Sequence, residues 1–323
     1  MITNLEIENF KSIKQLNLTC KKINLFIGEP NTGKSNILET FGLLSFPQFG
    51  QIVEFIRLDS MNNLFFDENL DENILIKADN KVLEIVFKDE IFHGRCHVED
   101  GNGEEFFNFH LDFRIRGSTG LFKAPLPLRI YKFSSKKDFN RKEPDFLLPP
   151  FGDNLITVLR SHKKLKNAVT DLLNTFGLRL VFRLQENKME IMKHHENDII
   201  AYPYWLLSDT LQRIIFYTTA IDSNKDSILI LEEPESHSFP YYTKFLGEKI
   251  AFDETNQYFI ATHNPYLLLA ILEKARRDSV NVFVTYYKNY ETKIKCLNAD
   301  QISELMSYDP FFNLDAFIEG DAC

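Results

Sequence analysis

The sequence predicts an α/β fold: a mixed central sheet flanked by helices, with an antiparallel β lobe and a small helical/β insertion. Three observations lead there. An apolar run, Ile23–Ile27, passes directly into GEPNTGKS and then into a helical stretch. Between residues 72 and 116, apolar and polar residues alternate in segments separated by the turn signals DN, KDE and DGNGE. From residue 207 onward, strand-like and helix-like stretches alternate, a pattern that calls for parallel strands joined by helical crossovers.

Taken in order, ITNLEIENF, IKQLNL and INLFI read as three short strands. A helix is expected over about Lys34–Leu44, with Pro47 helping to stop it. ILIKAD, KVLEIVF, IFHGRCHV and FFNFHLDF form the expected meander. Residues 118–150 are rich in Gly, Pro and Lys and read as loop around one strand, Leu128–Phe133. Residues 153–176 have helical spacing and end well at Gly177. A hairpin of LRLVFRL and KMEIMKH follows. Then come a helix (Asp209–Ile221), a strand (Ser227–Leu231), a helix (Tyr241–Ala251), a strand (Tyr258–Ala261), a helix (Pro265–Lys274) and a closing pair, VNVFVTYY and TKIKCL. We expect a single domain over 1–323, built from an N-terminal lobe (1–135), an inserted lobe (136–205) and a C-terminal lobe (206–323).

The chain has 323 residues, 44% hydrophobic and 26% charged, enough for a sizeable core. Its net charge of −9 runs against a broad DNA-clamping face, so DNA binding would need a local basic patch. Cys20, Cys96, Cys296 and Cys323 lie far apart and form no CxxC pair, which argues against a zinc site or a disulfide framework. Reduced thiols in a cytoplasmic protein are expected. No signal peptide and no membrane span are expected. The absence of sustained heptads excludes a long coiled-coil arm.

Gly28-Glu29-Pro30-Asn31-Thr32-Gly33-Lys34-Ser35 matches GxxxxGK[ST] in full. Glycines at its ends let the backbone turn so that successive N–H groups face phosphate oxygens, and the following helix adds its positive dipole end. Gly28, Asn31, Thr32, Gly33, Lys34, Ser35 and Asn36 are therefore the candidate nucleotide-binding residues. Lys34 supplies charge to the β- and γ-phosphates and Ser35 a hydroxyl to magnesium. The strand Ser227–Leu231 runs into Glu232-Glu233-Pro234-Glu235. Beside a P-loop, Glu232 suits the metal and Glu233 suits the attacking water. A solvated acidic turn is the plainer explanation of such residues taken alone. His263, in Ala261-Thr262-His263-Asn264-Pro265, ends another apolar strand, where a neutral His can sense the γ-phosphate. Ser208, in LLSDTLQR, is a good N-cap, which explains it on its own. The functional alternative is that its helix N-terminus points at the γ-phosphate held by a second subunit. ATP and Mg2+ are the expected cofactors.

These motifs in this order resemble the ABC-type ATPase heads of the RecF/SMC-like class. More closely, they resemble the AAA-domain ATPases of the OLD (overcoming lysogenisation defect) family. LEIENFKSIKQLNL with INLFIGEPNTGKSN matches that class's start, LSDTLQR its signature motif, LILEEPESHSFP its Walker B and D-loop, and ATHNPYLL its switch histidine. The likeness covers roughly residues 1–45 and 200–290. It implies a P-loop NTPase of ABC-ATPase-head type in which two subunits sandwich two ATP molecules, Lys34 and Ser35 of one facing Ser208 of the other. Two departures stand out. Asp209-Thr210 follow Ser208 where Gly is usual, and Asp209 would repel a γ-phosphate unless it turns away to a base such as Arg213. No Gln is placed to contact magnesium: the loop after Leu128–Phe133 reads SSKKD, and Gln48 and Gln51 lie close to the P-loop helix.

The terminal FIEGDAC resembles the first acidic turn of a Toprim nuclease, but Glu319 and Asp321 read as a solvated tail, and the fold is expected without a Toprim domain. His194-His195 alternate across a strand and receive no ligand role. The leading expectation is an ATP-driven switch subunit, a homodimer or higher oligomer, that controls a separate effector (a nuclease or toxin), a role the resemblance places in phage defence. The alternative is a DNA-binding ATPase in repair or recombination, using Lys136-Lys137, Arg141-Lys142 and His162-Lys163-Lys164-Lys166. A GTPase is disfavoured because NKxD is absent.

Overall fold

The computed structural model describes residues 1–99, 104–120, 122–183, 185–195, 198–307, 311 and 314–318. The chain opens with a hairpin, β1 (Asn4–Phe10) and β2 (Ile13–Thr19), then enters β3 (Ile23–Gly28), α1 (Lys34–Phe49) and a single turn, α2 (Ile52–Phe55). The meander follows: β4 (Ile74–Ala78), β5 (Lys81–Lys88), β6 (Ile91–Val98), β7 (Glu105–Leu111) and a short β8 (Gly117–Thr119). Next come β9 (Leu128–Tyr131), α3 (Leu155–Ser161), α4 (Lys163–Asn174), and β10 (Leu178–Arg183), β11 (Lys188–His195) and β12 (Asp198–Pro203). The remainder alternates: α5 (Asp209–Ser223), β13 (Ile228–Glu232), α6 (Pro240–Phe252), β14 (Gln257–Ala261), α7 (Pro265–Lys274), β15 (Val280–Lys288), β16 (Glu291–Cys296), α8 (Ala299–Ser307) and α9 (Leu314–Ile318).

Three sheets result. An antiparallel sheet runs β2-β1-β4-β5-β6-β7-β8, a second runs β10-β11-β12, and the central sheet runs β16-β15-β3-β14-β13-β9. Within the central sheet β9, β13, β14, β3 and β15 are parallel, and β16 pairs antiparallel at the edge. Every residue of β3 is buried, as a strand covered on both faces requires. Its side chains alternate between two cores. Ile23, Leu25 and Ile27 face the core that also holds Ile215, Leu246 and Leu267 of α5, α6 and α7. Phe26 faces the core that holds Phe41 of α1 and the inward residues of the meander. Phe41 lies against Phe259 of β14, ring centroids 4.5 Å apart. One strand thus ties both lobes together and ends in the P-loop.

Several expectations are corrected. Pro47 does not stop α1, which continues to Phe49. In the last turn its ring removes only one i→i−4 bond, and buried Leu43, Leu44 and Phe46 hold the helix against the core. The helical stretch 153–176 breaks into α3 and α4 at His162, whose backbone is extended. The expected hairpin is a three-stranded sheet, because β12 adds to β11. The helices α8 and α9 were not anticipated.

Candidate functional site

Sheet order brings the tips of β3, β13 and β14 side by side, so the segments that leave them share one cleft. Ala261 of β14 is registered with Phe26 of β3 and with Glu232 of β13. Gly28 has φ +147°, and a Cβ there would lie 2.4 Å from the Thr285 carbonyl oxygen of β15. Gly33 has φ +94° and would place a Cβ 2.1 Å from Thr292 Oγ1 of β16. Only glycine fits either place. Gly33 caps α1 without a side-chain bond, and the first turn of α1 contains no acidic residue. That leaves a helix N-terminus suited to an anion.

Lys34 Nζ lies back over the loop and donates to the carbonyl oxygens of Gly28 (2.9 Å) and Glu29 (2.7 Å). Burial lowers its pKa to about 8, against the pull of Glu233 and Glu29. Thr32 is buried, its hydroxyl bonded to Glu29 O (2.8 Å) and Thr285 Oγ1 (2.6 Å). The Asn36 side chain donates to Ser12 Oγ (2.7 Å), which bonds Thr292 Oγ1 (2.7 Å). These side chains brace the loop against the neighbouring strands. Asn31, Thr32, Gly33, Lys34, Ser35, Asn36, Glu233 and His263 all line a cleft of about 260 Å3.

A second cleft of about 370 Å3 adjoins it and shares Ser35, Arg57 and Glu233 with it. Glu232 enters here, with Lys132, Arg213, Tyr217 and Ser236. Glu233 has φ +42°, a left-handed conformation that costs a non-glycine residue about 1–2 kcal/mol. It is held there by its N–H to Ala261 O (2.9 Å) and by Ser236 Oγ donating to its carboxylate (3.0 Å). His263 Nε2 is 3.5 Å from Glu233 Oε1, longer than a good hydrogen bond. Burial, and then the charge of Lys34, lower the His263 pKa against the pull of Glu233, which favours the neutral imidazole.

Arg57 carries no motif and was missed in the sequence. Its Nε bonds Glu39 Oε1 (2.8 Å), and its Nη2 reaches to 3.8 Å from Glu232. Lys11 pairs with the same buried Glu39. Lys132, one residue beyond β9, donates to Phe55 O (2.8 Å), and burial lowers its pKa. Where a magnesium-contacting Gln was sought, the strand end therefore offers a lysine. No Gln lines either cleft among the described residues. No spacing could have linked Arg57 or Lys132 to the P-loop, because sheet order brings in Lys132 and the ion pair with Glu39 of α1 brings in Arg57.

Ser208 caps α5, accepting from Leu211 N at 3.4 Å, and is exposed. It does not line the P-loop clefts among the described residues. Asp209 does turn to Arg213, at 3.4 Å, and Thr210 Oγ1 donates to His237 O (3.1 Å). Of the basic runs, Lys136 pairs with Asp153 and Arg141 with Glu143, and Lys137 lies over the Trp205 ring. Lys163, Lys164 and Lys166 are exposed on α4.

Among the described residues, no group of three or more His, Cys, Asp or Glu side chains could hold a metal by itself. Cys20, Cys96 and Cys296 are free. Glu319, Asp321 and Cys323 lie outside the described residues. No helix among those described is long and apolar enough to cross a membrane.

A search of curated proteins finds no match. Among solved structures, the chain is similar to one titled "Crystal structure of the SmcHead bound to the C-winged helix domain of ScpA". The TM-score is 0.56 at 14% identity, over 94% of this chain and 99% of that one. At that identity the likeness is one of fold: a P-loop NTPase of the ABC-ATPase-head type. The model of the AAA ATPase domain family matches residues 1–209, the part that carries the P-loop and the meander. With its P-loop, its SMC-head-like fold and this match over more than half its length, the chain belongs to the AAA ATPase domain family.

Proposed function

We propose that this chain is a magnesium-dependent ATP hydrolase that works as a switch, closing as a nucleotide-sandwiched dimer and passing that state to a separate effector. One observation carries the reading: the P-loop, the Glu232-Glu233 strand end and His263 converge on adjoining clefts although about 200 residues separate them in sequence. Lys34 and the free N–H groups at the start of α1 bind the phosphates. Glu233, fixed in a strained conformation, holds the attacking water and accepts its proton. Neutral His263 donates toward the γ-phosphate.

The donor set fits magnesium. Ser35 and Glu232 line one cleft without a cage of carboxylates, and a hard ion that keeps waters and phosphate oxygens needs no more from the protein. When bound, the ion neutralises phosphate charge. Arg57 and Lys132 flank Glu232 and add positive charge beside it.

The site is half of a composite one in this reading. Ser208 is exposed, outside the P-loop clefts, with Asp209 drawn aside by Arg213, so the N-terminus of α5 is available to the nucleotide of a second copy. Control of a nuclease or toxin in phage defence is the setting that the OLD resemblance supplies. The SMC head of similar fold binds a winged-helix partner, which favours a protein effector here too.

Purified protein should hydrolyse ATP only with magnesium. Glu233→Gln should lower turnover by about 10²–10⁴-fold, the usual worth of a general base, while ATP stays bound and the dimer persists in size-exclusion chromatography. Wild-type turnover without magnesium, or a variant that hydrolyses normally, refutes the assignment.

A further inference from the structure

Three carboxylates, Glu232, Glu233 and Glu235, fall within four residues at the end of β13, and they divide in environment. Glu232 and Glu233 line the clefts, whereas Glu235 is only 4% exposed and lines neither. A buried carboxylate is costly, so an acidic turn that faces water does not explain this residue. Its Oε1 accepts a hydrogen bond from the hydroxyl of Thr262, itself fully buried. Its Oε2 is buried and, among the described residues, has no hydrogen-bond partner.

Thr262 is the residue before His263. Its hydroxyl also accepts the Asn264 N–H (3.0 Å), so both neighbours of His263 hang on one oxygen atom. Its own N–H donates to Phe26 O (3.1 Å) in the strand that leads to the P-loop. Asn264 then caps α7, accepting from Tyr266 N (2.8 Å) and Leu267 N (3.3 Å). On the other side, Glu233 N–H reaches Ala261 O. Two cross-links, Glu233 to Ala261 and Glu235 to Thr262, therefore fix the β13 tip against the β14 tip, next to the Glu233–His263 pair.

We propose that Glu235 is a positioning residue for ATP hydrolysis: through the Thr262 hydroxyl it sets His263 against Glu233 and the P-loop. The inference rests on the ATPase reading given above. Burial raises the Glu235 pKa to about 7, and the Glu233 charge adds to the rise, while Thr262 and backbone N–H groups oppose it. The fold thus holds a carboxylate where an apolar pair would be cheaper. Replacing both partners of a buried hydrogen bond by apolar groups is close to neutral for stability, so tying the strands together does not by itself require it.

The test separates positioning from scaffolding. Glu235→Leu combined with Thr262→Val removes both partners, and the acceptor of the Asn264 N–H with them, and should leave a folded protein with unchanged KM for ATP. Its kcat should fall about 10–100-fold, the scale of a small misplacement of catalytic groups. Glu235→Gln keeps an acceptor for Thr262, and Thr262→Ser keeps the hydroxyl; both should retain kcat within about threefold, well inside that loss. In a double-mutant cycle on kcat, Glu235→Leu and Thr262→Val should be strongly non-additive. A double variant with wild-type kcat, or with lost activity explained wholly by unfolding while Glu235→Gln fares no better, overturns the proposal. Wild-type protein that lacks magnesium-dependent turnover overturns the ATPase reading itself, and this inference with it.

Discussion

If Lys34 binds the phosphates as proposed, its charge depends on its ligand. Burial has lowered its pKa from 10.5 to about 8, and its ammonium is held by two loop carbonyls. Without nucleotide, the proton is lost as pH rises through about 8; phosphate oxygens favour the charged form and draw it back. ATP binding should therefore take up protons above pH 8, and affinity should fall by up to about tenfold per pH unit toward pH 9.5. Calorimetry in buffers of different ionisation enthalpy reads the uptake. Affinity that is flat across this range would mean Lys34 stays protonated in the free protein.

At the scale of elements, the P-loop is shaped by strands that follow it by some 250 residues. Thr285 of β15 crowds Gly28 and Thr292 of β16 crowds Gly33. Gly33→Ala combines a clash with a disfavoured φ. Its expected effect is ATP affinity at least about tenfold weaker, or roughly 1.4 kcal/mol, with unchanged circular dichroism. Adding Thr292→Ala removes Oγ1 and Cγ2 but leaves Cβ 2.9 Å away and the φ strain in place, so it should restore only part of the loss. Full restoration would show that the Oγ1 and Cγ2 contacts alone matter. The α1 helix makes the complementary point. Pro47 looks like a stop signal, yet packing of the helix overrides it.

For the whole molecule, the central question is whether a second copy completes the site. Among the described residues the exposed cap of α5 does not line the P-loop clefts of its own chain, and Asp209 after it pairs with Arg213, one turn further on, which does. Ser208→Arg places bulk and charge at the proposed junction without touching the P-loop. The monomer should still bind ATP, while ATP-dependent dimerisation and turnover disappear together, as light scattering and a coupled assay would show. A monomeric variant with full turnover would make each chain self-sufficient. For direct DNA binding, the exposed lysines of α4 are the place to look: affinity that drops steeply with salt would support phosphate contacts there.

The phosphate cradle and the identity of most strands and helices were legible in the sequence. GEPNTGKS dictates its own turn, and alternation or helical spacing in segments such as KVLEIVF and Pro265–Lys274 reports burial within a few residues. Glu232, Glu233 and His263 could be singled out because each ends an apolar strand. Sheet order was not legible, since hydrogen bonds between strands are indifferent to distance along the chain. It took the fold to insert β3 between β14 and β15, to add β12 to its hairpin, and to bring Arg57, Lys132 and Thr285 to the P-loop. It also separated Glu235 from its neighbours: sequence shows three similar carboxylates within four residues, and only burial distinguishes the one that faces Thr262 from the two that face the cleft.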